Sequence, residues 1–396
     1  MVQYISFWLL LAVTALTFWL LPQKRRLGFL GLVSFAYLLT FSPAGTLVLF
    51  LWLIAFYRLA RRIRTNGGRR RWIAPILILG ILGYLAWFKY VPRVVAILTG
   101  DAASAQIVLP LGISYFTFKL IHYAVEVGRG NIGRHHFGDF LCYIFLFPTF
   151  PAGPIERFDH LMQNREPTWR LDSMLEGLTR IIHGLIKRFV IQGILIVWLL
   201  GELGDIRVLI DRLDSVGPAQ VWGVLILRYL SAYLDFSAAA DIAIGASRLF
   251  GLRIMENFNF PIVARDIGDF WRRWHMTLAG WCQAYVYMPL IGLTRNPYLA
   301  VFVTFATIGL WHAGTLNWLC WGLYHGAGVA TFTVWSRMKR RRGWTWIDKT
   351  WWRYAGWPLT FLFVSSSYAI SSTHEEASTY AALRILAKLL FIDLPA

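Results

Sequence analysis

FWRRWH, from Phe270 to His275, opens a stretch that continues through an apolar run to GLWHAG (Gly309 to Gly314) and closes at WGLYHG (Trp321 to Gly326). Three histidines, His275, His312 and His325, stand beside tryptophan or tyrosine in sequence otherwise suited to lipid. An ionisable side chain is costly at membrane depth, so each of the three is a functional candidate. The rest of the chain reads as scaffold that places them.

Composition supports a membrane setting. Of 396 residues, 57% are hydrophobic, and the mean hydropathy is +0.52, above the roughly 45–50% apolar content of soluble chains. The excess is gathered into long runs with basic residues between them, which predicts an all-α polytopic integral membrane protein with about ten to twelve membrane-embedded segments. The runs are too long for barrel strands. The formal charge of +18 is concentrated in Lys24-Arg25-Arg26, Arg61-Arg62, Arg69-Arg70-Arg71 and Lys339 to Arg342, each abutting an apolar run. That placement suits anionic lipid headgroups on the cytoplasmic side and argues against nucleic acid. Cys142, Cys282 and Cys320 lie in apolar context without metal spacing, as small core residues do. The first run, Tyr4 to Leu21, lacks a basic leader and a small-residue cleavage site, so it reads as a retained span.

Taken in order, residues 1–105 read as N-terminal spans. A hairpin forms around Ser42-Pro43-Ala44-Gly45, Gly67-Gly68 marks a cytoplasmic loop, and Asp101 to Ser104 falls in an external one. Residues 106–335 hold the chemistry, and 336–396 the C-terminal spans. PLGISYFTF (Pro110 to Phe118) predicts a broken or kinked helix. Phe137 to Phe150 is short and ends in PTFPAGPIERF (Pro148 to Phe158), whose three prolines cannot continue a helix. It reads as a re-entrant segment, with Glu156, Arg157 and Asp159 at or near the interface. Asp235 and Asp241 interrupt an apolar run. Six residues is about 600° of helical rotation, so the two carboxylates leave opposite faces and form no dyad. Pairing with an arginine or backbone amides is the expectation for both. Ala264 to Trp281 reads as one interfacial amphipathic helix, with Arg272 on its polar side and Trp274 on its apolar side.

The histidines carry the chemistry. A neutral imidazole is the best general base near pH 7, and the glycines of GLWHAG leave backbone space beside His312. The bland alternatives are a helix-end histidine for His312, a membrane-anchor residue for His275 and a helix–helix hydrogen bond for His325. There is no G-x-S-x-G elbow, no phosphate-binding glycine loop and no zinc-like histidine spacing.

PLGISYFTF, FPTFPAGPIERF, LDFSAAADIAIGASRLFGLRIMENFNFP, DFWRRWHMTL and GLWHAG together resemble successive motifs of the membrane-bound O-acyltransferase superfamily. The resemblance is to its bacterial polysaccharide and teichoic-acid branch, and it covers about Leu109 to His325. It implies a helical core with re-entrant and interfacial helices in the bacterial cell membrane. It also implies an essential histidine at His312 and a partner at His275, with Trp274, Trp311, Arg272, Asp235 and His325 as possible support. CQAYVYMPL (Cys282 to Leu290) departs from the branch, which usually has an arginine–aspartate pair before the tyrosine.

The resemblance implies no permanently bound cofactor. The donor would be a cytoplasmic thioester, acyl-CoA or an acyl group on a carrier protein's phosphopantetheine. The acceptor would be a hydroxyl of an extracytoplasmic polysaccharide or of a relay protein. His312 would act as general base, while His275 would orient the donor or stabilise the oxyanion. The alternative from another class is a transporter or flippase with a histidine-lined proton path. Secondary transporters usually carry internal repeats, and none is visible.

Overall fold

A computed structural model describes residues 2–65, 72–99, 112–150, 152–204, 206–344, 350–373 and 379–395. Gly67-Gly68, Arg69 to Arg71, Asp101 to Ser104, Pro110 and Pro151 lie outside the described residues. Among the described residues the regular structure is helical, and the one β-bridge, Arg165 to Leu252, is isolated. Contacts divide the chain into two units. One comprises Met1–Gly184 with Ala239–Glu256, the other Leu185–Ala238 with Asn257–Ala396.

The first unit begins with α1 (Ile5–Leu20), α2 (Gln23–Leu39) and α3 (Pro43–Thr65). In α1, Phe7, Leu11 and Phe18 are buried, while Ile5, Leu9, Val13, Leu16 and Leu20 are exposed at helical spacing. An exposed apolar stripe of this length on a helix suits lipid rather than water. Then come α4 (Ile73–Lys89), α5 (Val91–Thr99), α6 (Ile113–Arg129) and α7 (Phe137–Phe145). Glycines let α2 and α7 touch backbone to backbone. A Cβ on Gly31 would meet Cys142 N at 2.7 Å, and one on Gly138 would meet Gly28 Cα at 2.8 Å. Helix α7 has nine residues, too few to cross a bilayer, and passes into a tight turn at Phe147–Thr149.

In the segment after that turn Glu156 is buried, at 1% exposure. Its carboxylate accepts from Arg157 N, His160 Nδ1 and Met255 N at 3.1, 2.7 and 2.7 Å. Three donors converge on one carboxylate, which is how a buried charge is tolerated. Short α8 (Phe158–Gln163) leads to α9 (Leu171–Leu185). Gly177 of α9 packs on Gly245 of α12 (Pro218–Arg248), where an added Cβ would lie 2.7 Å from the Gly245 carbonyl. One turn on, Arg180 bonds Asp241 and Glu256, each at 2.6 Å. Asp241 therefore has the arginine partner that its place in an apolar run demands.

The second unit starts where α9 widens into a π-helical stretch, Ile186–Ile196, before α10 (Val197–Leu203) and α11 (Ile206–Asp211). Arg188 of this stretch pairs with Asp235, so both aspartates of that apolar run carry arginines. The predicted single helix over 264–281 is not present. The segment is instead α13 (Ile267–Trp271), a break at His275 and α14 (Met276–Cys282). Helix α14 runs on through a π-helical Gln283–Tyr287 into α15 (Met288–Thr294), so the divergent CQAYVYMPL is one continuous rod. The amphipathic pattern is real, but a contact distant in sequence overrides it, as shown below.

Helices α16 (Pro297–His312) and α17 (Leu316–Arg342) form a hairpin, followed by α18 (Thr350–Ser371) and α19 (Thr379–Leu389). Asn296 caps α16 by accepting from Tyr298 N and Leu299 N, and Thr315 caps α17 by accepting from Trp318 N. Added Cβ atoms on Gly309 and Gly322 would overlap the Trp318 and Phe305 carbonyls. The room at Gly309 is thus taken by the facing helix, not by the His312 ring.

By length and composition, two described helices could cross a membrane, Pro43–Ile63 and Leu171–Asp211. Four shorter apolar helices accompany them: Ile5–Leu20, Ile73–Lys89, Phe137–Thr149 and Pro297–His312.

Candidate active site

The FWRRWH segment is held in shape by NFN, residues 257–259. Asn259 N donates to Arg273 O and Met276 N donates to Asn257 O, both at 2.9 Å. Between these two bonds the chain must reverse, and His275 takes a left-handed backbone with φ 43° and ψ 50°. Such a conformation in a residue other than glycine costs on the order of 1–3 kcal/mol, and persists only where the surroundings impose it. Asn257 imposes it a second time through its side chain. Its Oδ1 lies 3.0 Å from His275 Nδ1, 2.8 Å from Thr277 Oγ1 and 3.4 Å from Thr277 N.

His275 is buried at 2% exposure. Phe236 meets its ring edge-on at 4.7 Å, and Phe258 and Trp311 flank it at 6.4 Å. Trp311 in turn lies 4.8 Å from the ring of His312. His312 is the last residue of α16 and half-buried. It stacks on Trp318 at 4.4 Å and 17°, with Trp321 edge-on at 5.4 Å. One tryptophan ring is therefore a neighbour of both imidazoles expected to work together.

His325 lies beyond Trp321, whose ring is 4.6 Å away. It is 1% exposed and ringed by Phe270, Trp271, Tyr324 and Phe363. Among the described residues neither of its nitrogens has a hydrogen-bond partner, and neither has the nearby Trp271 Nε1. The helix–helix hydrogen bond that is the bland alternative for His325 is not made among the described residues.

The supporting candidates divide. Trp311 neighbours both His275 and His312. Trp274 packs on Phe258 at 5.2 Å and Phe270 at 5.6 Å, behind His275. Asp235 precedes Phe236, but its carboxylate turns to Arg188. Arg272 is exposed and lies 3.7 Å from Asp269, so it is not gathered with the histidines. Asn257, Thr277, Trp318 and Trp321 form part of the site without having been singled out. The only trace of Asn257 in the sequence is its place in ENFNFP.

A helical chain with exposed apolar stripes and histidines set among tryptophans has a matching class. The chain belongs to the membrane-bound O-acyltransferase family, whose profile matches residues 32–368. Among curated relatives, it is 33% identical to the probable alginate O-acetylase of Pseudomonas aeruginosa, over 69% of this chain and 54% of that protein. It is 30% identical to the teichoic acid D-alanyltransferase of Streptococcus thermophilus, over 58% of each chain. It is 27% identical to the peptidoglycan O-acetyltransferase of Helicobacter pylori, over 76% of this chain and 62% of that protein. The chain thus spans about half the length of the alginate relative.

Proposed function

We propose that this chain is a multi-pass O-acyltransferase of the bacterial cell membrane. It moves an acyl group from a cytoplasmic thioester, on CoA or on a carrier protein's phosphopantetheine, to a hydroxyl of an extracytoplasmic glycopolymer or relay protein. Residues 106–335 form its catalytic core, among about ten to twelve membrane-embedded segments. The observation that supports the reading best is that His275 and His312 share Trp311 as an aromatic neighbour, at 6.4 and 4.8 Å.

In this reading His312 is the general base. It takes the proton of the acceptor hydroxyl as the oxygen attacks the thioester carbonyl, and the thiol leaves with a proton. His275 orients the donor or stabilises the oxyanion. Proton transfer accounts for about 10²–10⁴-fold of the rate, and positioning must supply much of the remainder. Stacking on Trp318 fixes the plane of the His312 ring.

The test is thiol release by the purified full chain in nanodiscs, with an acetyl or aminoacyl thioester and a soluble hydroxyl acceptor. His312→Ala should lower turnover by at least about 10²-fold while the protein stays monodisperse. Undiminished turnover in that variant would remove His312 from the mechanism. Solute flux without thiol release would mark a transporter instead.

A further inference from the structure

His275 has two nitrogens, and its surroundings decide which one carries the proton. Thr277 N is a backbone amide and can only donate. The Asn257 atom facing it at 3.4 Å is therefore the carbonyl oxygen, Oδ1. Thr277 Oγ1 also donates to Oδ1, at 2.8 Å. The same oxygen faces His275 Nδ1 at 3.0 Å, so Nδ1 must hold a hydrogen to bond it. In a neutral imidazole the other nitrogen, Nε2, then carries the lone pair. Asn257 is 0% exposed, and among the described residues His275 Nε2 has no hydrogen-bond partner.

We propose that Asn257, braced by Thr277, is a positioning residue that locks His275 as the Nδ1–H tautomer, so that Nε2 accepts a hydrogen bond from the acyl donor. This use rests on the acyltransferase reading above. A lone pair cannot donate to an oxyanion, so of the two roles open to His275 the lock selects donor orientation. A group that such a nitrogen can hold must offer an N–H. Both donor sources share one, in the secondary amide of the pantetheine arm nearest the sulfur. His312 is then left to act on the hydroxyl. The left-handed backbone at His275 and the Met276 N to Asn257 O bond hold the ring to the same residue that sets its tautomer.

Two measurements on the full chain test this. Solid-state ¹⁵N spectra of histidine-labelled protein, with the His275 signals assigned by difference from His275→Gln, should show Nδ1 protonated and Nε2 bare. Asn257→Asp should keep that pattern, since a carboxylate oxygen still accepts from Nδ1–H. Asn257→Leu should lose it, and if that variant does not fold, Thr277→Val should loosen it. An Nε2–H tautomer in the unaltered protein overturns the lock. For function, acetyl-N-acetylcysteamine is compared with S-ethyl thioacetate, which lacks the amide. The unaltered enzyme should favour the amide-bearing thioester by about tenfold to hundredfold in kcat/KM, as for one hydrogen bond. Asn257→Leu should erase the preference, whereas a purely structural defect would slow both substrates alike. Equal use of the two thioesters by the unaltered enzyme overturns donor orientation. If no thioester is consumed at all, the acyltransferase reading fails, and the spectra still decide the tautomer.

Discussion

The two units bury their histidines in opposite ways. In the first unit each buried or half-buried imidazole is bonded. His122 Nε2 accepts from Phe158 N at 3.1 Å, 3.3 Å from Asp159 Oδ1. His135 bonds the Tyr123 hydroxyl and the Gly133 carbonyl, and His160 bonds Glu156. In the second unit, among the described residues, His275 leaves one nitrogen unbonded and His325 leaves both. An unbonded buried nitrogen costs about 1–3 kcal/mol. A satisfied histidine adds to stability, whereas one kept unsatisfied in a packed aromatic setting is a candidate for work on something else. The carboxylates in the apolar run teach the same lesson. Asp235 and Asp241 both have arginines.

Glu156 gives the largest test of the satisfied side. Glu156→Ala would leave two backbone amides and the partly exposed His160 ring without their acceptor. Stability should fall by about 1–3 kcal/mol for each amide left unsatisfied. Thermal unfolding in detergent measures the loss. Turnover per folded molecule should hold steady at low temperature. Lost turnover with an unchanged melting point would move Glu156 from the scaffold into the site.

His325 tests the other side, with a smaller effect of opposite sign. His325→Phe replaces two unbonded nitrogens with apolar edge, in a cage already built of rings. The folded state should gain about 1 kcal/mol or more. Turnover should fall about tenfold if one of those nitrogens bonds a substrate. A variant that is less stable and fully active would show that His325 belongs with the satisfied histidines after all.

Much of this contrast is legible in the sequence, for physical reasons. A histidine or aspartate in an apolar run announces its cost wherever it is, so His275, His312, His325, Asp235 and Asp241 stand out. The arginine pairing of the aspartates follows from the same electrostatics. The short α7 follows from the prolines that end it. What resists reading is whatever a distant contact decides. The pattern over 264–281 fits an unbroken helix, and the bonds from Asn257 and Asn259, the former 18 residues before His275, break it. Arg272 looks like support because it adjoins the site in sequence, yet its side chain is exposed beside Asp269. Glycine carries a similar ambiguity. Gly309 marks a close approach, but the sequence does not say whether a ring or a facing helix fills it. The π-helical turns at Ile186–Ile196 and Gln283–Tyr287 leave no periodic trace at all.

The smallest expected effect concerns His160, and it separates charge from hydrogen bonding on the satisfied side. Its hydrogen bond to Glu156 raises the imidazole above its ordinary value of 6.5, against the opposing effect of partial burial. Asp159 adds to the rise and Arg157 opposes it. A raised folded-state value means that the folded protein holds the proton more tightly than the unfolded chain does. The stabilisation is fully present below the unfolded value and is lost as pH climbs through the folded one. His160→Gln can still donate to Glu156 but cannot take up a proton. The unaltered protein should therefore melt higher than the variant at pH 5.5, and the gap should narrow steadily towards pH 8. The effect will be modest, since the side chain is 34% exposed and solvent screens the pair. A gap that does not change with pH would mean that the ring contributes its hydrogen bond and packing alone. His160 would then be satisfied without being charged.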